Sequence, residues 1–302
     1  MKSLNEIVVK AKALGKKTRV AVAVAEDSNT LGALARAANE GFVYPILIGS
    51  LQRIKSLPEA EALPPGAYQI IDIPDQDKAT KEAVRMVKSG EADVLMKGLI
   101  GTDKFLKEVL NKSRGLLPPK AVMSYTCALE LPAYHKLLLI SDTAVLPNPD
   151  LKSKIAMINY SVRMANALDI VKPKVALISA TEKVSEAMPN TIDYALISKM
   201  AQRGQIKGCI VDGPLDVFLA CDPSSLAVKG VQSPIAGDAD ILIFPNLETA
   251  NAFYKGLMLF AKGELAGLIQ GTSKPVIVMS RSESENSKYY CIALSCLMKE
   301  ER

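Results

Sequence analysis

The sequence predicts an α/β protein with mostly parallel sheets, arranged as two domains. Short runs rich in Val, Ile and Leu alternate with longer segments of helical period along the chain. The runs are apolar almost throughout, as strands covered by helices on both faces require. Glycine or polar residues end most of them and open the next connection.

Residues 19–25 (RVAVAVA) read as a buried strand. Asp27, Ser28 and Asn29 are then candidate caps for a helix carrying Leu31, Leu34, Ala35 and Ala38 at helical spacing. Gly41 stops that helix, and residues 43–48 form the next strand, ending at Gly49. The unit repeats: Ala79, Ala83 and Val87 make a helical stripe closed by Gly90, and residues 93–96 are a strand running into Lys97-Gly98. Leu106, Val109 and Leu110 mark another helix. After Met123 the rhythm changes to two strands around a Pro132-Ala133-Tyr134 turn, an expected antiparallel pair. Pro147-Asn148-Pro149 then breaks the chain before a helix capped by Asp150, with Leu151, Ile155, Ile158 and Val162 in register. A domain boundary is expected here, between residues 143 and 144. Strands at 174–179, 208–211, 240–244 and 276–279 follow, with helices from Asn190, through Phe253, Leu257 and Phe260, and at the end of the chain.

Composition narrows the function. The 302 residues carry 37 basic and 32 acidic side chains, a net charge of +5 with no basic block interleaved with aromatics, so nucleic acid is not an expected partner. Five cysteines, odd in number and without a C-x-x-C pair, suit a reduced compartment. The opening residues lack a signal-peptide core, and the apolar runs are too short to span a bilayer. A cytoplasmic protein without membrane association is expected. The single histidine, His135, falls in a turn, so a histidine-based triad or metal site would rest on it alone. Neither a P-loop nor a G-x-G-x-x-G turn occurs, and no acidic metal cluster is evident from spacing.

In parallel sheets, ligands gather beyond the carboxyl ends of the strands. Those ends carry Lys97-Gly98, Asp212-Gly213-Pro214, Pro245-Asn246 and Ser280-Arg281. Ser280-Arg281 is the sharpest pair: a guanidinium holds two phosphate oxygens at once, and the next helix turns its free N–H groups the same way. The Ser-rich run SRSESENS also suits simple helix capping. The connection from Lys229 to Gly237 mixes a cation, a hydroxyl and glycines, as loops around phosphorylated ligands do and as surface crossovers also do.

Four blocks, residues 92–112, 188–214, 229–255 and 271–288, resemble the phosphate acetyl/butyryltransferase family, its butyryl branch above all. With AVAVAEDS and PILIGS near the start, the likeness covers nearly the whole chain. The resemblance implies reversible conversion of acyl-CoA and phosphate to acyl phosphate and CoA, with CoA as substrate and no cofactor or metal. It implies two α/β domains like those of isocitrate/isopropylmalate dehydrogenases, an inter-domain cleft holding the site, and a homodimer or higher homo-oligomer. The C-terminal segment 275–302 then joins the first domain (1–143), leaving 144–274 as the second. Carried over by position, Ser280 orients the CoA sulfur and Arg281 binds phosphate and stabilises the tetrahedral carbonyl. Lys97 of the M-K-G motif binds phosphate, Ser124 lines the acyl phosphate pocket, and Ser233 and Gly237 edge the CoA path. The acetyl branch has an Asp after Ser-Arg as proposed base for the thiol. Direct register here gives Ser287 instead, so Glu283 is the candidate base, with an exposed helix-start carboxylate as its ordinary alternative. Acetyl transfer, an oxidative enzyme on the related dehydrogenase fold, and a non-catalytic CoA or acyl-phosphate binding protein are the competing functions. The oxidative reading lacks a nicotinamide site and a metal cluster.

Overall fold

A computed structural model describes residues 1–279 and 283–299. Its elements, in chain order, begin with α1 (Leu4–Ala13), β1 (Thr18–Ala23), α2 (Ser28–Asn39), β2 (Val43–Gly49), α3 (Leu51–Lys55) and β3 (Gln69–Asp72). Next come α4 (Gln76–Ser89), β4 (Val94–Lys97), α5 (Thr102–Val109), β5 (Ser124–Glu130), β6 (Leu138–Ser141), α6 (Leu151–Ala167), β7 (Lys174–Ile178) and α7 (Pro189–Gln202). The chain closes with β8 (Ile210–Leu215), α8 (Val217–Cys221), α9 (Pro223–Lys229), β9 (Ile241–Ile243), α10 (Leu247–Phe260), β10 (Glu264–Gln270), β11 (Val276–Ile277) and α11 (Glu285–Met298). The protein is a mixed α/β fold whose strands pair mostly in parallel.

The chain forms two compact units: Leu4–Met123 with Leu265–Arg302, and Met1–Ser3 with Ser124–Glu264. They differ from the domains expected from the sequence over residues 1–3, 124–143 and 265–274. Strand pairing accounts for the two longer segments. β5 pairs antiparallel with β6, and β6 pairs parallel with β9, which ties 124–143 to the later strands. β10 pairs with β11, which ties it to the C-terminal segment.

In the first unit the order is β3-β2-β1-β4-β11-β10, all parallel except β10. Its inner strands are apolar and covered: Val20 to Ala25 and Val94 to Met96 are wholly buried. α2 starts where expected, with the Asp27 carboxylate accepting from the Thr30 N–H at 2.9 Å. Its stripe of Leu31, Leu34, Ala35 and Ala38 is buried, as is the Ala79, Ala83 and Val87 stripe of α4. In the second unit the order is β5-β6-β9-β7-β8, parallel from β6 onward. The Asp150 cap accepts from the Ser153 N–H at 2.8 Å and starts α6 as expected.

Candidate active site

Each unit presents its own set of groups at the carboxyl ends of its parallel strands. In the first, Lys97 closes β4, opposite Ala23 of β1, and is 6% exposed. A lysine this buried needs oxygen partners, and its Nζ donates to the carbonyls of Gly98 at 3.1 Å and Ile100 at 3.0 Å. The turn that supplies those carbonyls depends on Gly98. A Cβ there would lie 2.8 Å from the Val24 carbonyl carbon and 2.9 Å from the Ala23 oxygen. The β1–α2 connection lies directly across from this turn, because the Leu99 N–H donates to the Val24 carbonyl at 2.7 Å.

That connection also reaches the C-terminal segment. Asn29 Nδ2 donates to the Glu283 carbonyl at 3.4 Å, and the buried Lys288 ammonium lies 3.0 Å from Asp27 Oδ1 and 3.3 Å from Thr30 Oγ1. Ser284 caps α11 by accepting from the Ser287 N–H at 3.0 Å. Lys97 and Glu283 therefore both border the start of α2, where two helix N-termini add their partial positive charge. Ile277 of β11 pairs with Met96, one residue before Lys97. Ser280 and Arg281, the expected catalytic pair, lie outside the described residues.

The second unit holds Ser124 at the start of β5. Because β5 runs against β6, Ser124 lies at the carboxyl edge of the parallel strands, beside Asp142. Asp142 is 2% exposed; it accepts from the Tyr125 N–H at 2.9 Å through Oδ2 and from Ala144 and Val145 at 2.8 and 2.9 Å through Oδ1. Burial pushes its carboxyl up to about 6, although these N–H groups pull the other way. Farther along, Ser233 donates to Asp212 at 2.6 Å and accepts from the Ile235 N–H at 3.2 Å. Ser233 also lines a surface groove of about 580 Å³ with Pro223, Leu226, Gly230 and Ala236. Gly237 (φ +66°) packs where a Cβ would come within 2.6 Å of the Asp222 and Pro223 backbone.

These groups offer an ammonium and helix N-termini on one unit, and hydroxyls with a buried carboxylate on the other. Comparison with known proteins identifies the family. The family described as "Phosphate acetyl/butaryl transferase" matches residues 75–296. The chain belongs to this family. It is 42% identical over 298 residues to the phosphate butyryltransferase of Clostridium acetobutylicum, covering 99% of this chain and 98% of that protein. It is also 42% identical to the phosphate acetyltransferase of Thermotoga maritima, covering 97% of this chain and 99% of that protein. A solved branched-chain phosphotransacylase from Enterococcus faecalis superposes with a TM-score of 0.82 at 29% identity, covering 94% of this chain and all of that one.

As a phosphate acetyl/butyryltransferase, the chain has its expected site residues in three places. Lys97 lies across from the β1–α2 connection and Glu283 beside Asn29 in the first turn of α2; Ser124 stands with Asp142; Ser233 and Gly237 stand together in the loop after α9. Sequence reasoning passed over Asp142, although it follows an apolar run (LLLIS) just as Lys97 follows VLM. It also passed over the Lys288–Asp27 pair, separated by 261 residues and invisible to any local pattern. His135 is exposed and pairs with Asp238 at 3.1 Å. Among the described residues no cluster of three or more His, Cys, Asp or Glu could hold a metal ion, and no helix is long and apolar enough to cross a membrane.

Proposed function

We propose that this protein moves a short acyl group, butyryl by preference, between coenzyme A and inorganic phosphate. The likeness to phosphate butyryltransferase over nearly the whole of both chains carries this reading. Butyryl-CoA and phosphate give butyryl phosphate and CoA: a phosphate oxygen bonds to the acyl carbon and the CoA thiolate leaves. In reverse the thiolate attacks. Such direct transfer needs a cationic cradle for phosphate, donors for the oxyanion and close alignment of two substrates. Lys97 supplies cationic charge at a carboxyl edge, able to exchange its backbone carbonyls for phosphate oxygens. In this reading Arg281 binds phosphate and the developing oxyanion, Ser280 orients the sulfur, Glu283 takes the thiol proton, and Ser233 and Gly237 edge the CoA path.

The same reading includes a site in a cleft between two domains of isocitrate/isopropylmalate dehydrogenase type, in a cytoplasmic homodimer. One feature supports self-association. α10 is strongly apolar, yet only Ala250 of it is buried, and Leu259 and Phe260 are 73% and 84% exposed.

The purified protein, mixed with butyryl-CoA and phosphate, should release free thiol only when phosphate is present. Acetyl-CoA in parallel sets the chain-length preference, with each of the two methylenes that separate the substrates worth about 1–3 kcal/mol. No phosphate-dependent thiol with any short acyl-CoA would refute the enzyme reading and leave a CoA or acyl-phosphate binding protein. Turnover at the wild-type rate in Arg281→Ala would remove that residue from the mechanism.

A further inference from the structure

We propose that Asp142 is a positioning residue for the phosphate side of the reaction, and that the group it positions is Ser124, whose hydroxyl meets a phosphate oxygen of the substrate. This rests on the acyl-transfer reading above. Ser124 is wholly buried, and its Oγ has no hydrogen-bond partner among the described residues. A hydroxyl held away from water without a partner is destabilising, and a substrate oxygen relieves that cost on binding. Its neighbours do not share the defect. Ser141 Oγ donates to the Tyr125 carbonyl at 2.9 Å, and Thr126 Oγ1 lies 3.3 Å from Ser161 Oγ. The one unsatisfied hydroxyl of this group therefore sits at the carboxyl edge of β6, β9 and β7, where parallel sheets bind ligands.

Asp142 fixes that hydroxyl through the backbone. Oδ2 holds the Tyr125 N–H, which belongs to the peptide joining Ser124 to Tyr125, while Oδ1 holds the turn at Ala144 and Val145. The far side of this turn is anchored too, since Asn251 Nδ2 donates to the Thr143 carbonyl at 2.9 Å. One carboxylate thus cross-links the first peptide of β5 to a braced turn, and only a carboxylate can accept at both atoms. Asparagine keeps the turn through its oxygen but presents N–H to the Tyr125 N–H, a donor facing a donor. Asp142→Asn therefore releases the Ser124 peptide selectively.

The experiment is a double-mutant cycle on the full-length protein with butyryl-CoA and phosphate. Ser124→Ala should lower kcat/KM for phosphate about 10- to 100-fold, the range for one hydrogen bond to a charged group. Asp142→Asn should lower the same parameter while leaving KM for butyryl-CoA near wild type. The double variant should be no worse than the more damaged single one, because both remove one interaction. Multiplicative losses, or an unchanged phosphate kcat/KM in Ser124→Ala, overturn the proposal. Should Asp142→Asn fail to fold, Asn251→Ala, which frees the Thr143 carbonyl on the turn that Asp142 holds, takes its place in the cycle, and an unchanged phosphate kcat/KM there overturns the proposal. If the wild type releases no phosphate-dependent thiol, the acyl-transfer reading fails first. Calorimetry with inorganic phosphate then still tests the site, and equal affinity in wild type and Ser124→Ala overturns it.

Discussion

Replacing Gly98 by alanine adds one methyl group at the point where β4 turns toward β1. The new Cβ would stand 2.8 Å from the Val24 carbonyl carbon and 2.9 Å from the Ala23 oxygen, and closer still to the Val24 oxygen. Ordinary carbon–oxygen contacts are about 3.3–3.6 Å, so backbone must move rather than a side chain. The movement strains two hydrogen bonds, Gly98 N–H to Ala23 at 2.9 Å and Leu99 N–H to Val24 at 2.7 Å. At about 1 kcal/mol for each bond and about 1–3 kcal/mol for overpacking, the loss is about 3–5 kcal/mol. A 3 kcal/mol loss lowers Tm by about 5 °C in a protein of 302 residues. Lys97 moves with the turn, because its ammonium is held by the Gly98 and Ile100 carbonyls, so kcat/KM for phosphate should fall as well. Scanning calorimetry and the thiol-release assay read the two effects. A Gly98→Ala protein melting within about 2 °C of wild type, with unchanged phosphate kinetics, would refute the close-approach argument.

Asp142 gives a pH signature. With its folded pKa raised to about 6, the native state keeps a proton between pH ~4 and ~6 that the unfolded chain has released; this contribution to stability is therefore largest in acid and declines as pH rises through that window, by up to about 3 kcal/mol. Urea unfolding of wild type and Asp142→Asn across that range should show a difference that changes in this sense, and a constant difference would contradict it. Lys288→Met should lower stability by about 1–3 kcal/mol through lost bonds to Asp27 and Thr30, seen as a lower denaturant midpoint at unchanged m-value. Leu259→Asp combined with Phe260→Asp should shift the sedimenting species from dimer to monomer; an unchanged mass would place the interface elsewhere.

Most of the fold was legible because local and tertiary demands coincide. The run at 19–25 is apolar after Arg19, is followed by a capping Asp, and became β1 between two neighbours. Gln69–Asp72 and Glu264–Gln270 lack that agreement. β3 is a half-exposed edge strand, so burial imposes little apolar pattern on it. β10 is buried and pairs antiparallel with β11 at Ile269, so its place follows from the partner rather than from its own pattern. The site divides similarly. Lys97 could be read from its position after a strand, whereas the carbonyls that hold it arise from a turn made possible by Gly98. Asp142 follows a strand too, but one expected in an antiparallel pair, where the rule that ligands gather at the carboxyl ends of parallel strands does not point to it. Lys288 and Asp27 meet only because α11 returns to pack on α2.

The nucleophile inventory bears on how the acyl group travels. Burial pushes Cys209, Cys221 and Cys296 up to about 11 and Cys291 to about 12. Thiols at these values are almost fully protonated at neutral pH, so none of the four offers a thiolate for an acyl-enzyme. His135, exposed and paired with Asp238, activates no serine among the described residues. Transfer straight from sulfur to phosphate is the reading these residues favour. It leaves one proton to manage, the thiol proton of CoA, and Glu283 beside the first turn of α2 is the proposed group. An enzyme cannot alter the equilibrium constant, so Glu283→Gln must slow both directions by a common factor at any given pH. Direction therefore cannot reveal a base, but the size of the loss and its rescue can. Glu283→Gln should lower kcat/KM in both directions about 10²–10⁴-fold, the usual worth of a positioned acid or base, and Glu283→Asp should restore part of it. A wild-type rate in Glu283→Gln would assign the base to another group.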